Sequence, residues 1–181
     1  MSFTPRSLRR FSLKTNPIFI GFILFILIIS VSCEKDDICV DGDTPLLVLR
    51  FYDAADTSLL KSVTDLRITG IGNGDPVNTF TDRSTTDSVA IPLRVNFENT
   101  QFQLIINSDD STDGTETGNI DTLQFNYINQ EVFISRACGF IANFDGLEEN
   151  LTADDDNWID SIEIVDTLIS SQLNAHVKIF H

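Results

Sequence analysis

The stretch VAIPLRVNF, residues 89–97, alternates between large apolar side chains and small or polar ones. Every second residue from Val89 to Phe97 is apolar, and Ala, Pro, Arg and Asn stand between them. A period of two is typical of a strand with one buried face. Pro92 lies on the polar side and has no N–H to donate to a neighbour, so the sequence predicts this strand at the edge of a sheet.

Similar segments recur along the chain. Alternation is found in DLRIT (65–69), QFQLII (101–106), SIEIV (161–165) and HVKIF (176–180). More continuous apolar runs, typical of central strands, are PLLVLRFY (45–52) and EVFISRACGFIANF (131–144). Turn-forming residues dominate GIGNGDP (70–76) and NSDDSTDGTETGN (107–119).

About eight short strands at this spacing predict an all-β fold. We expect residues 45–181 to form an antiparallel β-sandwich that is immunoglobulin-like in its general architecture. A closed barrel is the alternative arrangement of the same strands. Segments 145–157 and 165–174 are candidates for a helical turn.

The charge of the chain is strongly asymmetric. The chain has 12 Lys and Arg and 27 Asp and Glu, which gives a formal net charge of −15. Four of the basic residues and none of the acidic ones precede Cys33. Residues 33–181 therefore have 8 basic and 27 acidic residues, a formal net charge of −19. Such a surface repels phosphate backbones, so nucleic acid is excluded as an expected partner.

The first 32 residues have the pattern of an export signal. Basic and polar residues precede an unbroken apolar run from Ile18 to Ile29, and small residues follow. This order predicts a secretory signal peptide over residues 1–32. The apolar run is shorter than the roughly 18–20 residues that span a bilayer, although an uncleaved anchor and twin-arginine export are the alternatives.

The end of this signal resembles a bacterial lipobox. Ser30-Val31-Ser32 precedes Cys33, whose thiol would be acylated with chains such as palmitate and become the new N-terminus. The alternative is a plain signal peptide followed by a free cysteine. The residues that follow are Glu34, Lys35, Asp36 and Asp37. They resemble the signal that exports lipoproteins to the outer face of the outer membrane in Bacteroidota. The alternative is that they form only an acidic tether. Residues 33–44 are polar and are predicted as a short tether.

The number of cysteines is consistent with this reading. If Cys33 carries lipid, Cys39 and Cys138 remain as an even pair in an oxidising compartment. A disulfide between them would close a loop of roughly 100 residues, and two free buried thiols are the alternative.

Enzymatic motifs are not apparent. A Ser-His-Asp or Cys-His relay needs a histidine beside a nucleophile. His176 and His181 lie in and after the last strand pattern, without a nucleophile motif nearby, and are predicted as surface or strand-end residues. The sequence also lacks HExxH, a phosphate loop and a dinucleotide fingerprint. We therefore expect no catalysis.

Two other patterns suggest ligands or modification. Asp109, Ser111 and Asp113 have the alternate spacing of the first half of a calcium loop, with Gly114 next, although an acidic hairpin loop has the same composition. Asp-Ser or Asp-Thr followed by Thr or an apolar residue resembles the O-glycosylation sequon of exported Bacteroidota proteins. Its candidate sites are Ser88, Ser111, Thr122, Ser161 and Thr167.

A family resemblance spans nearly the whole mature chain. It is carried by CEKDDIC (33–39), PLLVLRFYD (45–53), VTDLRITGIGN (63–73), ISRACGF (134–140), DNWIDSIEI (156–164) and NAHVKIFH (174–181). In this order the segments resemble a family of uncharacterised lipoproteins of flavobacteria and related Bacteroidota. The resemblance implies an envelope location and a β-rich domain, and its shared cysteines favour the pairing of Cys39 with Cys138. It implies no activity.

The sequence therefore predicts a lipid-anchored protein of the outer membrane, facing the exterior, with a binding or structural role. Its partner would be the membrane and another envelope component, with an outer-membrane protein favoured over a glycan because the chain has one Trp and two Tyr. The alternatives are a calcium-dependent adhesion or glycan-binding module, and an envelope enzyme that uses His176 with carboxylates. No cofactor is expected other than this calcium.

Overall fold

A computed structural model describes Cys39 and residues 43–181. Residues Cys39–His181 form one compact unit. The strands of the described part are β1 (Leu47–Tyr52), β2 (Val63–Gly70), β3 (Ser84–Thr86), β4 (Ser88–Ile91), β5 (Asn99–Ile106), β6 (Asn119–Ser135), β7 (Gly139–Leu151), β8 (Ser161–Ile164) and β9 (Val177–Phe180).

The strands form two sheets, which confirms the predicted all-β sandwich. One sheet has four strands in the order β4-β1-β9-β8, and the other has five in the order β3-β2-β5-β6-β7. All pairings are antiparallel except that of β1 with β9, which is parallel. The parallel pair brings the C-terminal strand into the centre of the four-stranded sheet, beside the first strand.

The alternating stretch 89–97 is only partly a strand. Its first residues form β4, which lies at the edge of the four-stranded sheet as predicted. The strand ends at Ile91, directly before Pro92, since proline cannot continue the ladder. Leu93 is still buried, but beyond it the predicted buried face is lost, because Val95 is 46% and Phe97 49% exposed.

The prediction of one central strand over residues 131–144 is wrong. The segment contains the end of β6, a turn at 136–138 and the beginning of β7, which is an edge strand. Gly139 follows the turn with φ +73°, a conformation that residues with a Cβ rarely adopt. The continuous apolar run is therefore a hairpin folded back on itself.

The core lies between the inner faces of the two sheets. Its largest fully buried side chains include Phe51 of one sheet and Phe102, Phe125 and Phe144 of the other. Trp158 precedes β8 and packs against Phe51 with ring centroids 6.3 Å apart. Its indole Nε1 donates to Leu104 O at 3.1 Å, so Trp158 ties the segment before β8 to β5.

The predicted helical turns are wrong. β7 occupies the first residues of segment 145–157, and the remainder of both segments forms turns and bends. The described residues contain no helix, so none of them forms a helical membrane span. The predicted signal peptide over residues 1–32 lies outside the described part of the chain.

Candidate functional site

The predicted disulfide is confirmed. Cys39 is bonded to Cys138 across 99 residues of sequence, with their Cα atoms 4.9 Å apart. Cys138 lies in the turn between β6 and β7, and its N–H donates to Ser135 Oγ at 3.1 Å. The tether is therefore fixed covalently, through Cys39, to the turn of the longest hairpin in the described structure.

This hairpin ends in a segment that is apolar on both faces, which we call the hairpin tip (residues 132–141). On one face Phe133 lies opposite Phe140, with ring centroids 5.2 Å apart in an edge-to-face arrangement. The two rings are 56% and 67% exposed. On the other face Val132 lies opposite Ile141, and both are half-buried.

The hairpin tip was missed by the sequence-based reading. Its apolar residues were assigned to a buried central strand, since periodicity does not distinguish a buried run from an exposed apolar hairpin. The signal that could have revealed it is Arg136-Ala-Cys-Gly139 between two apolar runs, which is a hairpin pattern with glycine.

The acidic loop of the predicted calcium site is held by two arginines that the sequence did not single out. Arg67 pairs with Asp82 at 2.7 Å and with Glu116 at 3.4 Å. Arg83 pairs with Asp110 and lies 3.6 Å from Glu116. Glu116 thus joins both arginines to the loop.

Glu116 is also bound by the loop itself. Its carboxylate accepts hydrogen bonds from the Gly118 N–H at 2.9 Å and the Ser108 hydroxyl at 2.8 Å. Burial opposes ionisation, but these bonds and the neighbouring Arg67 outweigh it and lower the pKa of Glu116. Glu116 is therefore the centre of an ion-pair network that ties the loop after β5 to Arg67 of β2 and to Arg83.

The three predicted calcium ligands are turned toward donors of their own loop. Asp113 Oδ1 accepts from the Ser111 hydroxyl and from the Thr115 N–H at 3.1 Å, and Asp109 Oδ1 accepts from the Asp110 N–H at 2.8 Å. Across the described part of the chain, no three His, Cys, Asp or Glu side chains are grouped to hold a metal. The calcium assignment stays a prediction.

His176 lies at a strand end, as predicted, but it is buried rather than at the surface. It directly precedes β9 and is only 3% exposed. Its Nδ1 accepts from the Val48 N–H at 3.0 Å, and its own N–H donates to Val48 O at 3.0 Å. The ring thus accepts a hydrogen bond that links the start of β9 to β1. Burial lowers the pKa of His176, and the negative charge of Asp166 offsets part of this decrease.

Stability should fall on mild acidification because of His176. A pKa below the ordinary value means that the unfolded chain binds more protons, so this contribution is present above about pH 6.5 and is lost as pH falls toward the folded-state pKa. Urea unfolding between about pH 7.5 and 5.5 should show a smaller decrease for His176→Gln than for the wild type. An equal decrease in both proteins would contradict this role.

His181 lies at the opposite end of the sandwich, after β9. Its Nε2 lies 3.2 Å from Lys61 O, while Lys61 Nζ donates to His181 O at 2.6 Å. Its ring packs edge-on against Trp158, with centroids 5.5 Å apart. Burial lowers the pKa of His181. The strand-end prediction is confirmed for this residue, and the structure does not bring it together with His176.

The five glycosylation candidates differ in exposure. Ser161 and Thr167 are exposed, in β8 and in the loop after it. The Ser88 hydroxyl donates to Leu49 O at 3.3 Å, and the Ser111 hydroxyl is engaged in its loop. Thr122 is half-buried in β6. Glycosylation stays a prediction, with the two exposed residues as the accessible acceptors.

An open groove of about 720 Å³ lies between the β2–β3 and β4–β5 connections. Its walls come from segments 70–78 and 92–94 and from the start of β5. The Arg94 backbone on one wall is held by Tyr127, whose hydroxyl accepts from Arg94 N–H and donates to Arg94 O, both at 3.0 Å. Local sequence patterns do not reveal this groove, because its walls come from three separate segments.

Cys33 and the predicted export signal over residues 34–37 lie outside the described residues. Among the described residues, the structure joins Cys39 to Cys138 and places Asp109, Ser111 and Asp113 in one loop. The two histidines and the other glycosylation candidates are dispersed over the sandwich.

The sequence matches no curated protein and no solved structure. A family model does match it: the model of DUF6452, a family of unknown function, covers residues 65–181. This match includes β3 to β9, Cys138 and the whole β6–β7 hairpin. The chain therefore belongs to the DUF6452 family.

Proposed function

We propose that this protein is an outer-membrane lipoprotein that faces the cell exterior and has a non-catalytic binding or structural role in the envelope. Cys33 carries the lipid, residues 34–37 direct the protein to the outer surface, and the sandwich is the exposed body. The organisms in which this applies are flavobacteria and related Bacteroidota.

The observation that carries this proposal is the pairing of the cysteines. The chain has three cysteines, and Cys39 and Cys138 are bonded to each other. Cys33 therefore has no remaining cysteine in the chain with which to pair, and it is the one that follows the apolar run and small residues of a lipobox-like signal. A disulfide also suits a protein that leaves the reducing cytosol.

The non-catalytic role is supported by the use of the two histidines. The Nδ1 of His176 is occupied by a backbone N–H inside the core, and the ring of His181 packs against Trp158. Each ring therefore links strands or loops of the sandwich. A base in a hydrolytic relay would instead need a nucleophile within hydrogen-bonding distance.

Acylation of Cys33 is tested on the protein made in a Bacteroidota host. The N-terminal peptide of the mature chain should begin at Cys33 and carry two or three acyl chains by mass spectrometry. Cys33→Ala should lose the acyl mass and the processing at this position, while its Cys39–Cys138 bond remains. A wild-type peptide with an unmodified Cys33 would refute the lipoprotein assignment.

Surface exposure is tested separately, by protease treatment of intact cells. The wild type should be digested, whereas a variant with Lys35, Asp36 and Asp37 replaced by alanine should stay acylated and become protected. Replacing Asp41 and Asp43 instead is the matched control, because it removes acidic residues from the same tether beyond the signal. Equal digestion of all three proteins would show that residues 34–37 are only a tether.

A further inference from the structure

The covalent path from Cys33 to the hairpin tip is short. Cys39 lies six positions after Cys33, and a fully extended chain of that length spans at most about 20–22 Å. The disulfide adds a Cα–Cα distance of 4.9 Å to Cys138. The turn that carries Cys138 therefore stays within about 27 Å of any lipid attached to Cys33.

The surface at the end of this path is apolar. Phe133 and Phe140 are both more than half exposed, and Ile134 is 36% exposed. Phe140 is 67% exposed, whereas Phe144, four residues along the same face of β7, is completely buried. The inner face of the hairpin therefore continues beyond the core. At its end Phe133 and Phe140 lie where the other sheet no longer covers them.

The charge distribution favours the same surface. Residues 33–181 carry 27 acidic residues, and within them the two longest stretches without Asp or Glu are 132–144 and 167–181. They meet where Phe144 and Ile169 exchange two backbone hydrogen bonds, of 3.1 and 2.7 Å. The tip carries the exposed Arg136 and no acidic residue, while Glu131 borders it in β6. The tip residues themselves therefore add no repulsion from an anionic lipid surface.

We propose that the hairpin tip, through Phe133 and Phe140, inserts into the interface of the membrane that holds the Cys33 lipid. This inference rests on the proposed lipid anchor, which brings the tip to the bilayer. Phenylalanine side chains at the end of a short covalent tether would enter the boundary between headgroups and acyl chains. The anchor and the tip are then two contacts with one bilayer, and the disulfide joins them into one unit.

The test places a tryptophan at the tip of the full mature protein. Phe140→Trp and, independently, Phe133→Trp are reconstituted in vesicles of phosphatidylethanolamine and phosphatidylglycerol, with or without a lipid brominated on its acyl chain. Because interfacial side chains reach about 5–10 Å into the headgroup and acyl boundary, emission of the new tryptophan should fall about twofold with brominated lipid. Trp158 in the wild type gives the background.

Leu59→Trp is the matched control. Leu59 is 56% exposed, the same fraction as Phe133. It follows β1 at the end remote from the tether, where Leu59 O accepts from the Asp53 N–H at 3.0 Å. Its added tryptophan should show no quenching by brominated lipid beyond that of the wild type.

The outcomes separate this inference from the lipid anchor. In one outcome the protein is acylated and bound to vesicles, but Phe133→Trp and Phe140→Trp are quenched no more than Leu59→Trp. This result overturns the insertion and leaves the lipoprotein assignment intact. Unacylated protein with quenched tip tryptophans overturns the anchor and retains the tip as a lipid contact. A blue shift in native outer membranes without quenching in pure lipid vesicles would assign the tip to a protein partner and overturn the insertion.

Discussion

Replacing Cys39 and Cys138 together by serine is expected to lower the free energy of unfolding by about 2–5 kcal/mol. The bond closes a loop across 99 residues of sequence, and a loop of that length restricts the unfolded chain strongly. Since domains are typically stable by about 5–15 kcal/mol, the loss is a large part of the total. Urea unfolding followed by Trp158 fluorescence measures it.

The single replacements provide the internal control for this prediction. Cys39→Ser and Cys138→Ser each remove the same bond, so each should cost nearly as much as the double replacement, and the effects should not add. Reduced wild-type protein should unfold with the same midpoint as the variants. Additive losses from the two single variants would mean that the thiols contribute through packing rather than through their bond.

Phe144→Ala is expected to destabilise the protein by about 3–5 kcal/mol. The ring is completely buried and packs edge-to-face on Tyr127, with centroids 5.0 Å apart. Its removal would leave a cavity at the position where the hairpin enters the core. The measurement is the same urea transition, and an unchanged midpoint would show that the residue is not part of a packed core.

Phe140→Ala is the matched control, because it removes the same side chain from the same face of the same strand. Phe140 is 67% exposed and its ring pairs with that of Phe133 across the hairpin, so its removal should lower the free energy of unfolding by no more than about 1 kcal/mol. A large loss at this position would mean that its ring stabilises the fold. A small loss leaves membrane insertion as the proposed role of the ring.

Sequence periodicity predicted several strands well. DLRIT and QFQLII lie wholly within strands, and SIEIV and HVKIF each extend one residue beyond β8 and β9. PLLVLRFY contains β1, which is central in its sheet. These segments are short and bounded by turn residues, so local pattern and tertiary position agree. The prediction was poorer for 89–97, where the alternation continues beyond Ile91 although the backbone leaves the sheet.

The parallel pairing of β1 with β9 could not be predicted in the same way. Leu49 pairs with Val177 and Tyr52 with Phe180, across almost the whole chain. The strand pattern of each segment is the same for a parallel and an antiparallel partner, so only the assembled sheet decides between them. Burial of His176 follows from this pairing, since its partner is Val48 on the neighbouring strand.

The sequence by itself determined the strand-rich character of the body and singled out Cys39 and Cys138 as a pair apart from Cys33. Those features depend on local pattern and on the number of cysteines. Only the tertiary structure decided that Cys138 lies in the turn of an exposed hairpin, between Phe133 and Phe140. Burial is set by the elements that pack over a segment, and no packed strand covers these two rings.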